Sequence, residues 1–311
     1  MPRISPKLVK QALRDSRLLP PLLRANPNLE QAKLELKWIK NELPKSQWHD
    51  AIRRRSKLEP LQYILGSQPF GALDILCRRN VLIPRWETEE WVMRISALVR
   101  KYHSQADGQL KILDVCTGSG CIPLLLNYEL SEVQNIPLKV HGCDISKEAV
   151  DLSMTNLKKY EENYPLSSHN IEFSKEDIFD ENLLQNILLD KKLSLVTSNP
   201  PYIPIHDFNS PVLINGIEKS VRQYEPSIAL VGENEFYEAL VRNVILKLNP
   251  EGFVFEVGYI EQVEFVANML AQKSYWLCGM MKDSSGNVRC VVGWMKGSKM
   301  QSLQEVCEVI Y

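Results

Sequence analysis

Between residues 110 and 198 the chain alternates four short apolar stretches with three amphipathic ones, and this limits its possible folds more than any other feature. "KILDV", "KVHGCDI", "IEFSKEDI" and "LSLVTS" read as strands, while "CIPLLLNYEL", "SKEAVDLSMTNLKKY" and "ENLLQNILL" read as helices between them. Continuously apolar strands joined through helices predict a parallel sheet covered on both faces, because each parallel crossover carries a helix that must bury one stripe. "GFVFEVG" and "VRCVVGWM" supply later strands, with "EQVEFVANMLAQ" as the helix between them. The fold class is therefore α/β.

The flanking region has a different texture. From 6 to 65 the pattern is helical: Leu8, Ala12 and Leu13 recur in one stretch, and Leu29, Ala32, Leu36, Ile39 and Leu43 form a stripe in the next. Pro20, Pro21, Pro27 and Pro44 mark the breaks. A hairpin is expected next, from "ALDIL" and "NVLIP", and then a helix capped by Thr88. This gives a helical unit over 1–66, a hairpin linker over 67–85 and the α/β unit over 86–311.

Charge is uneven. Residues 1–60 carry 14 Lys and Arg against 6 Asp and Glu, whereas the whole chain has a net charge of −1. The first 29 residues hold six basic side chains and one acid, Asp15, which suits either an organelle-import segment or a basic face for an acidic partner. "RRR" at 53–55 reads as a solvated helix face. No apolar run approaches the ~18 residues of a membrane span. Seven cysteines without a C-x-x-C pair read as reduced thiols, and the five histidines have no metal-ligand spacing, so no metal is expected.

The turn after the first strand, "DVCTGSG", is where a doubly wound sheet takes a nucleotide-like ligand. Gly118 and Gly120 let backbone N–H groups approach it, with Cys116, Thr117 and Ser119 completing the loop. The third glycine of a dinucleotide fingerprint is replaced by Pro123, and Asp114 ends the strand instead. A carboxylate there suits a cation, which points to S-adenosylmethionine, released as S-adenosylhomocysteine after transfer. Asp144, at the end of the second strand, can accept both ribose hydroxyls, and Asp177 and Ile178, after the third, can hold the adenine.

The fourth strand runs into "NPPY", residues 199–202. Adjacent prolines cannot continue a strand ladder. They fix a rigid corner beside the cofactor mouth, where the Asn199 side-chain oxygen and the Pro200 carbonyl can each accept one hydrogen of a planar NH₂ group. Pro201 stiffens the corner and Tyr202 offers a flat face. Positioning and polarisation, without a strong base, are expected to drive methyl transfer.

N-P-P-Y resembles two groups of class I methyltransferases, acting on the adenine amine of nucleic acid or on a protein glutamine. Further stretches choose between them. "QYILGSQPFGALDILCRRNVLIPRWETE" is similar to the Y-x-x-G…F…LIPRPETE linker of the HemK/PrmC family of release-factor glutamine methyltransferases, and "ILDVCTGSGCIPL" to its I-L-D-x-G-T-G-S-G-x-I motif. "EPSIALVG", "FEVGYIEQ" and "DSSGNVR" resemble its later E-P-x-x-A-L, E-x-G-x-x-Q and D-x-x-G-x-x-R stretches, in the same order over roughly residues 30–295. The resemblance implies a Rossmann-like class I S-adenosylmethionine-dependent methyltransferase sheet behind a small N-terminal helical domain and a β-hairpin linker. It also implies transfer to the Gly-Gly-Gln glutamine of a bacterial- or organellar-type release factor, gripped by the helical part. Asn199 to Tyr202 match the substrate clamp; Cys116 to Gly120, Asp144, Ile178 and Asn199 match the cofactor contacts. Four features depart from the pattern: Trp86 replaces a proline and is expected to alter how the cofactor is covered, Cys116 replaces a glycine, "VGENEF" lacks paired glycines, and a loop is lengthened at 128–139.

The helical domain and basic start resemble the mitochondrial, fungal-type branch, with a cytoplasmic location as the alternative and no zinc-binding activator subunit expected. A nucleic-acid adenine methyltransferase is the rival enzyme. It needs a basic groove around the catalytic sheet, yet the basic excess lies in the helical part. A cofactor-binding scaffold without turnover is the non-enzymatic rival.

Overall fold

The computed structural model describes residues 4–104, 108–132, 135–165, 170–183, 193–211 and 217–311. Five helices open the chain: α1 (Pro6–Asp15), α2 (Leu19–Leu22), α3 (Leu29–Glu42), α4 (Trp48–Arg55) and α5 (Leu61–Leu65). The Asn28 side chain caps α3 by accepting from the Glu30 and Gln31 amides. Ala32, Leu36 and Ile39 bury the expected stripe against Ala12, Leu22, Ile52 and Ile64, an apolar cluster distinct from those of the sheet. Leu13 falls off the stripe of α1 and is exposed. The arginine run is not a uniformly solvated face. Arg53 is exposed, but Arg54 pairs with the buried Glu59, and Arg55 makes a forked bond to the buried Glu35 at 2.8–3.1 Å.

The hairpin is shifted from its expected place. Its strands are β1 (Ser67–Phe70) and β2 (Leu73–Leu76), turning at Gly71, whose φ of +58° favours glycine. "NVLIP" forms no strand. It starts in a turn, with Asn80 at φ +68° and the Val81 amide bonded to the Arg78 carbonyl, and has no partner ladder among the described residues; the Ile83 amide is satisfied by the Glu225 carboxylate at 3.1 Å. Helix α6 (Trp86–Tyr102) begins two residues before the expected cap, so Thr88 lies in its first turn, buried.

The sheet has eight strands in the order β10–β8–β9–β7–β6–β3–β4–β5. Strands β3 (Leu110–Val115), β4 (Leu138–Asp144), β5 (Ile171–Lys175), β6 (Leu195–Ser198) and β7 (Gly252–Glu256) run parallel; β8 (Trp276–Lys282), β9 (Val288–Met295) and β10 (Val309–Ile310) extend it antiparallel. Strand β8 carries no β-branched residue and includes a glycine, so its sequence reads poorly as strand; pairing with β9 makes it one. Helices α7 (Cys121–Asn127) and α8 (Lys147–Asn163) follow β3 and β4. Pro123 is tolerated because it lies in the first turn of α7, where backbone N–H groups have no helical partner. The expected helix "ENLLQNILL" lies largely outside the described residues. Strand β3 pairs with β4 on one side and β6 on the other, so the chain reverses its winding direction there. That reversal opens a crevice at the carboxyl ends of β3 and β6, the place where open α/β sheets bind ligands.

Candidate active site

One cavity occupies this crevice, and most of the expected cofactor residues meet on its wall. Cys116, Thr117, Gly118 and Ser119 come from the turn after β3, Asp144 from the end of β4, Asp177 and Ile178 from the loop after β5, and Asn199 and Pro201 from the corner after β6. Gly118 has φ +56° and open space where a side chain would start, so its backbone faces the cavity bare. Its amide donates to Asp144 Oδ2 at 2.9 Å while the Ser146 amide donates to Oδ1 at 2.9 Å, which clamps turn and strand end together. Burial raises the Asp144 carboxyl above its ordinary range, against those backbone donors. Cys116 takes φ +60°, a conformation that costs a side-chain-bearing residue roughly 1–2 kcal/mol and explains why a glycine fits there.

Four expected residues lie off this wall. Asp114 is 0% exposed beneath the turn; across the β3–β6 ladder it faces Thr197, whose hydroxyl donates to Asp114 Oδ1 at 2.7 Å. Burial pushes its carboxyl up to about 7. Asp114 thus braces the floor and does not touch the cavity. Gly120 packs the turn onto the sheet: a Cβ there would stand 2.9 Å from the Phe173 ring and 3.0 Å from Ser153. Pro200 is buried behind the corner. Tyr202 turns its hydroxyl away to Glu256 Oε1 at 3.2 Å. Trp86, at the first position of α6, is 53% exposed and also off the wall, so it does not cover the cavity.

The wall includes segments that sequence reading passed over. Asn80 to Arg85, the stretch expected as a strand, forms one side, and Pro226, Ile228 and Ala229 form the other. Arg85 ties the two sides by donating to Glu225 Oε1 at 2.6 Å. The unpartnered apolar run "VLIP" was the available signal.

Behind the N-P-P-Y corner the later motifs converge. Glu256, 0% exposed at the end of β7, accepts from Trp91 Nε1 at 2.8 Å and from the Thr88 hydroxyl at 2.7 Å, both at Oε2. Arg289 stands 3.9 Å from Oε1 and bonds Asp283 at 2.9 Å. Burial raises the Glu256 carboxyl, and these donors and the Arg289 charge pull it back. Thr88 accepts in turn from Asn199 Nδ2 at 3.3 Å. Gln262 donates to the Tyr202 carbonyl at 2.9 Å, and a Cβ on Gly258 would stand 2.8 Å from the Tyr202 ring. "EPSIALVG" braces the corner from the other side through a parallel bridge between Ile203 and Val231.

Acidic groups dominate the cavity's charges. Glu176, Asp144 and Asp177 line it, and among the described residues its one cation, Arg85, is taken by Glu225. A ligand with ribose hydroxyls, an apolar base and positive charge fits this wall; a pyrophosphate would meet carboxylates. S-adenosylmethionine is such a ligand. In solved structures the likeness is to the N-terminal domain of human METTL16 in complex with SAH, at TM-score 0.52 and 16% identity over 78% of this chain and 83% of that one, a likeness of fold. The fold is that of class I S-adenosylmethionine-dependent methyltransferases. No protein-family model matches the chain. Sequence relatives are more specific. The chain is 40% identical to mitochondrial MRF1 N(5)-glutamine methyltransferase MTQ1 of Saccharomyces cerevisiae, over 98% of this chain and 93% of that one. It is 34% identical to a probable MRF1 mitochondrial N(5)-glutamine methyltransferase of Schizosaccharomyces pombe, over 92% and 96%. It is also 34% identical to the release factor glutamine methyltransferase of Geobacter sulfurreducens, over 78% and 75%. The chain belongs to the release factor glutamine methyltransferase family.

Proposed function

We propose that this chain methylates the side-chain amide nitrogen (N5) of the glutamine in the Gly-Gly-Gln motif of a bacterial- or organellar-type release factor, and that it works in mitochondria. The observation that carries the reading is the placement of Asn199. It lies on the cofactor cavity with its amide nitrogen engaged by Thr88, which leaves its oxygen as the free end. S-adenosylmethionine, when bound, supplies an electrophilic methyl group on a sulfonium. Asp144 would hold the ribose hydroxyls, Asp177 and Ile178 the adenine, and Cys116 to Ser119 the remainder.

Of the two acceptors expected for the glutamine NH₂, the Asn199 oxygen lies on the cavity wall and takes one hydrogen, turning the nitrogen toward the cavity; the Pro200 carbonyl, off that wall, would take the other from behind the corner. Both prolines lock φ, so this geometry exists before substrate arrives. The nitrogen gains a methyl and afterwards releases one proton to solvent, so the site needs orientation more than a base. The apolar surroundings strengthen each polarising hydrogen bond. A second cleft adjoins the cavity, lined by Leu23, Trp38 and Leu58 of the helical bundle and by Val221 of the catalytic part, and it shares Ile83 and Arg85 with the cofactor wall. It suits the body of a protein substrate and supports a recognition role for an N-terminal domain over 1–66. The mitochondrial assignment is supported by the two fungal relatives, both named mitochondrial.

Mass spectrometry of the Gly-Gly-Gln peptide, after incubation of release factor with enzyme and cofactor, should show one added methyl. Asn199→Ala should lower kcat by roughly 10²–10³, as loss of one preorganised transition-state hydrogen bond does, with much less effect on cofactor binding. Near-normal turnover by that variant would refute the clamp.

A further inference from the structure

Resting on the Asn199 clamp, we propose that Thr88 and Glu256 are positioning residues that determine which end of the Asn199 carboxamide faces the substrate. The two ends of a carboxamide are nearly equal in size and opposite in hydrogen bonding. Only the oxygen end can accept a substrate hydrogen, so an asparagine free to turn over would spend time presenting the wrong group.

The side chains behind it remove that freedom. Glu256 Oε2 already accepts from Trp91 Nε1, a group that can only donate, at 2.8 Å. The same oxygen stands 2.7 Å from the Thr88 hydroxyl, which has one hydrogen and gives it there. Toward Asn199 the hydroxyl can then only accept. The carboxamide must turn its NH₂ to Thr88, as it does at 3.3 Å, and its oxygen to the other side. A reversed amide would set two lone-pair oxygens against each other with no hydrogen between them. Glu256 acts on the second clamp residue too, accepting from the Tyr202 hydroxyl at Oε1. The carboxylate is fully buried, touches no cavity wall, and works through other side chains.

The test is a double-variant cycle on the full-length enzyme with release factor and S-adenosylmethionine. Thr88→Val keeps the shape and removes the hydroxyl, so the productive orientation buries an unpaired NH₂; kcat should fall about tenfold, and because Thr88 also lines the cavity, S-adenosylhomocysteine affinity is measured alongside and should change by much less than kcat. Thr88→Ser should restore kcat. In an Asn199→Ala background, Thr88→Val should cause no further loss, because no carboxamide remains to be oriented. Thr88→Ala removes the same hydroxyl and gives the same readout should valine disturb folding, which thermal unfolding monitors. Wild-type kcat in Thr88→Val, failure of serine to rescue, or losses that multiply in the double variant would overturn the proposal. Asn199→Ala with normal turnover would instead sink the clamp itself, so the two failures are distinguishable.

Discussion

Gly232→Ala probes the N-P-P-Y corner without replacing any residue in it. Gly232 lies in "EPSIALVG", and its amide donates to the Ile203 carbonyl at 3.1 Å. Its φ lies outside the left-handed region, so alanine adds no backbone strain and the effect is steric. The new Cβ would stand 2.4 Å from the Pro201 carbonyl oxygen and 2.7 Å from the Phe236 ring. Side-chain Cβ atoms essentially never approach closer than 3.0 Å, so the carbonyl must retreat by about 0.6 Å. Phe236 can rotate aside, but the Pro201 carbonyl belongs to the peptide that carries Tyr202, so with the φ of Pro201 locked its retreat turns ψ and swings that peptide. The displacement therefore reaches the clamp. A misplacement on the order of 1 Å costs about 10²-fold in rate, so a shift somewhat smaller should lower kcat by about 10–100-fold. Overpacking should also cost about 1–3 kcal/mol of stability, read as roughly 2–10 °C in Tm for a chain of this size. Single-turnover methylation of release factor beside a thermal melt measures both. Wild-type turnover with an unchanged Tm would refute the view that Gly232 is small because the corner presses on it.

Two further outcomes follow from the same geometry. Trp86→Pro should keep activity and raise stability by about 0.4–1 kcal/mol in urea melts, because proline suits the first helical position and Arg85, at ψ 146°, already has the extended backbone that precedes a proline. Asp114, with its carboxyl raised to about 7 by burial, holds its proton more tightly folded than unfolded; stability should therefore fall as pH rises from about 4 to 7, and Asp114→Asn should remove that slope in urea melts at pH 5 and 7.5.

The α/β alternation from Leu110 to Lys175, the strand Leu195–Ser198, the α3 stripe and the glycine turn were legible in the sequence, because each is a local periodicity or a local backbone demand. The strand-end residues Asp144, Asp177 and Asn199 were legible for the same reason: a parallel sheet collects its strand ends at one edge. Directions and long-range partners were not. Thr88 reads as a helix cap, and only the packing of α6 against β7 turns it to Glu256, 168 residues away. Asp114 reads as a cavity wall until β6 lays Thr197 over it. "NVLIP" reads as a strand, but no ladder partner is present among the described residues, and Glu225 supplies its hydrogen bond instead. Sequence by itself determined the elements and the chemistry gathered at the sheet's edge. Tertiary structure alone decided which polar atoms face the cavity and which brace it, because a side chain's orientation is set by the nearest hydrogen-bond partner in space.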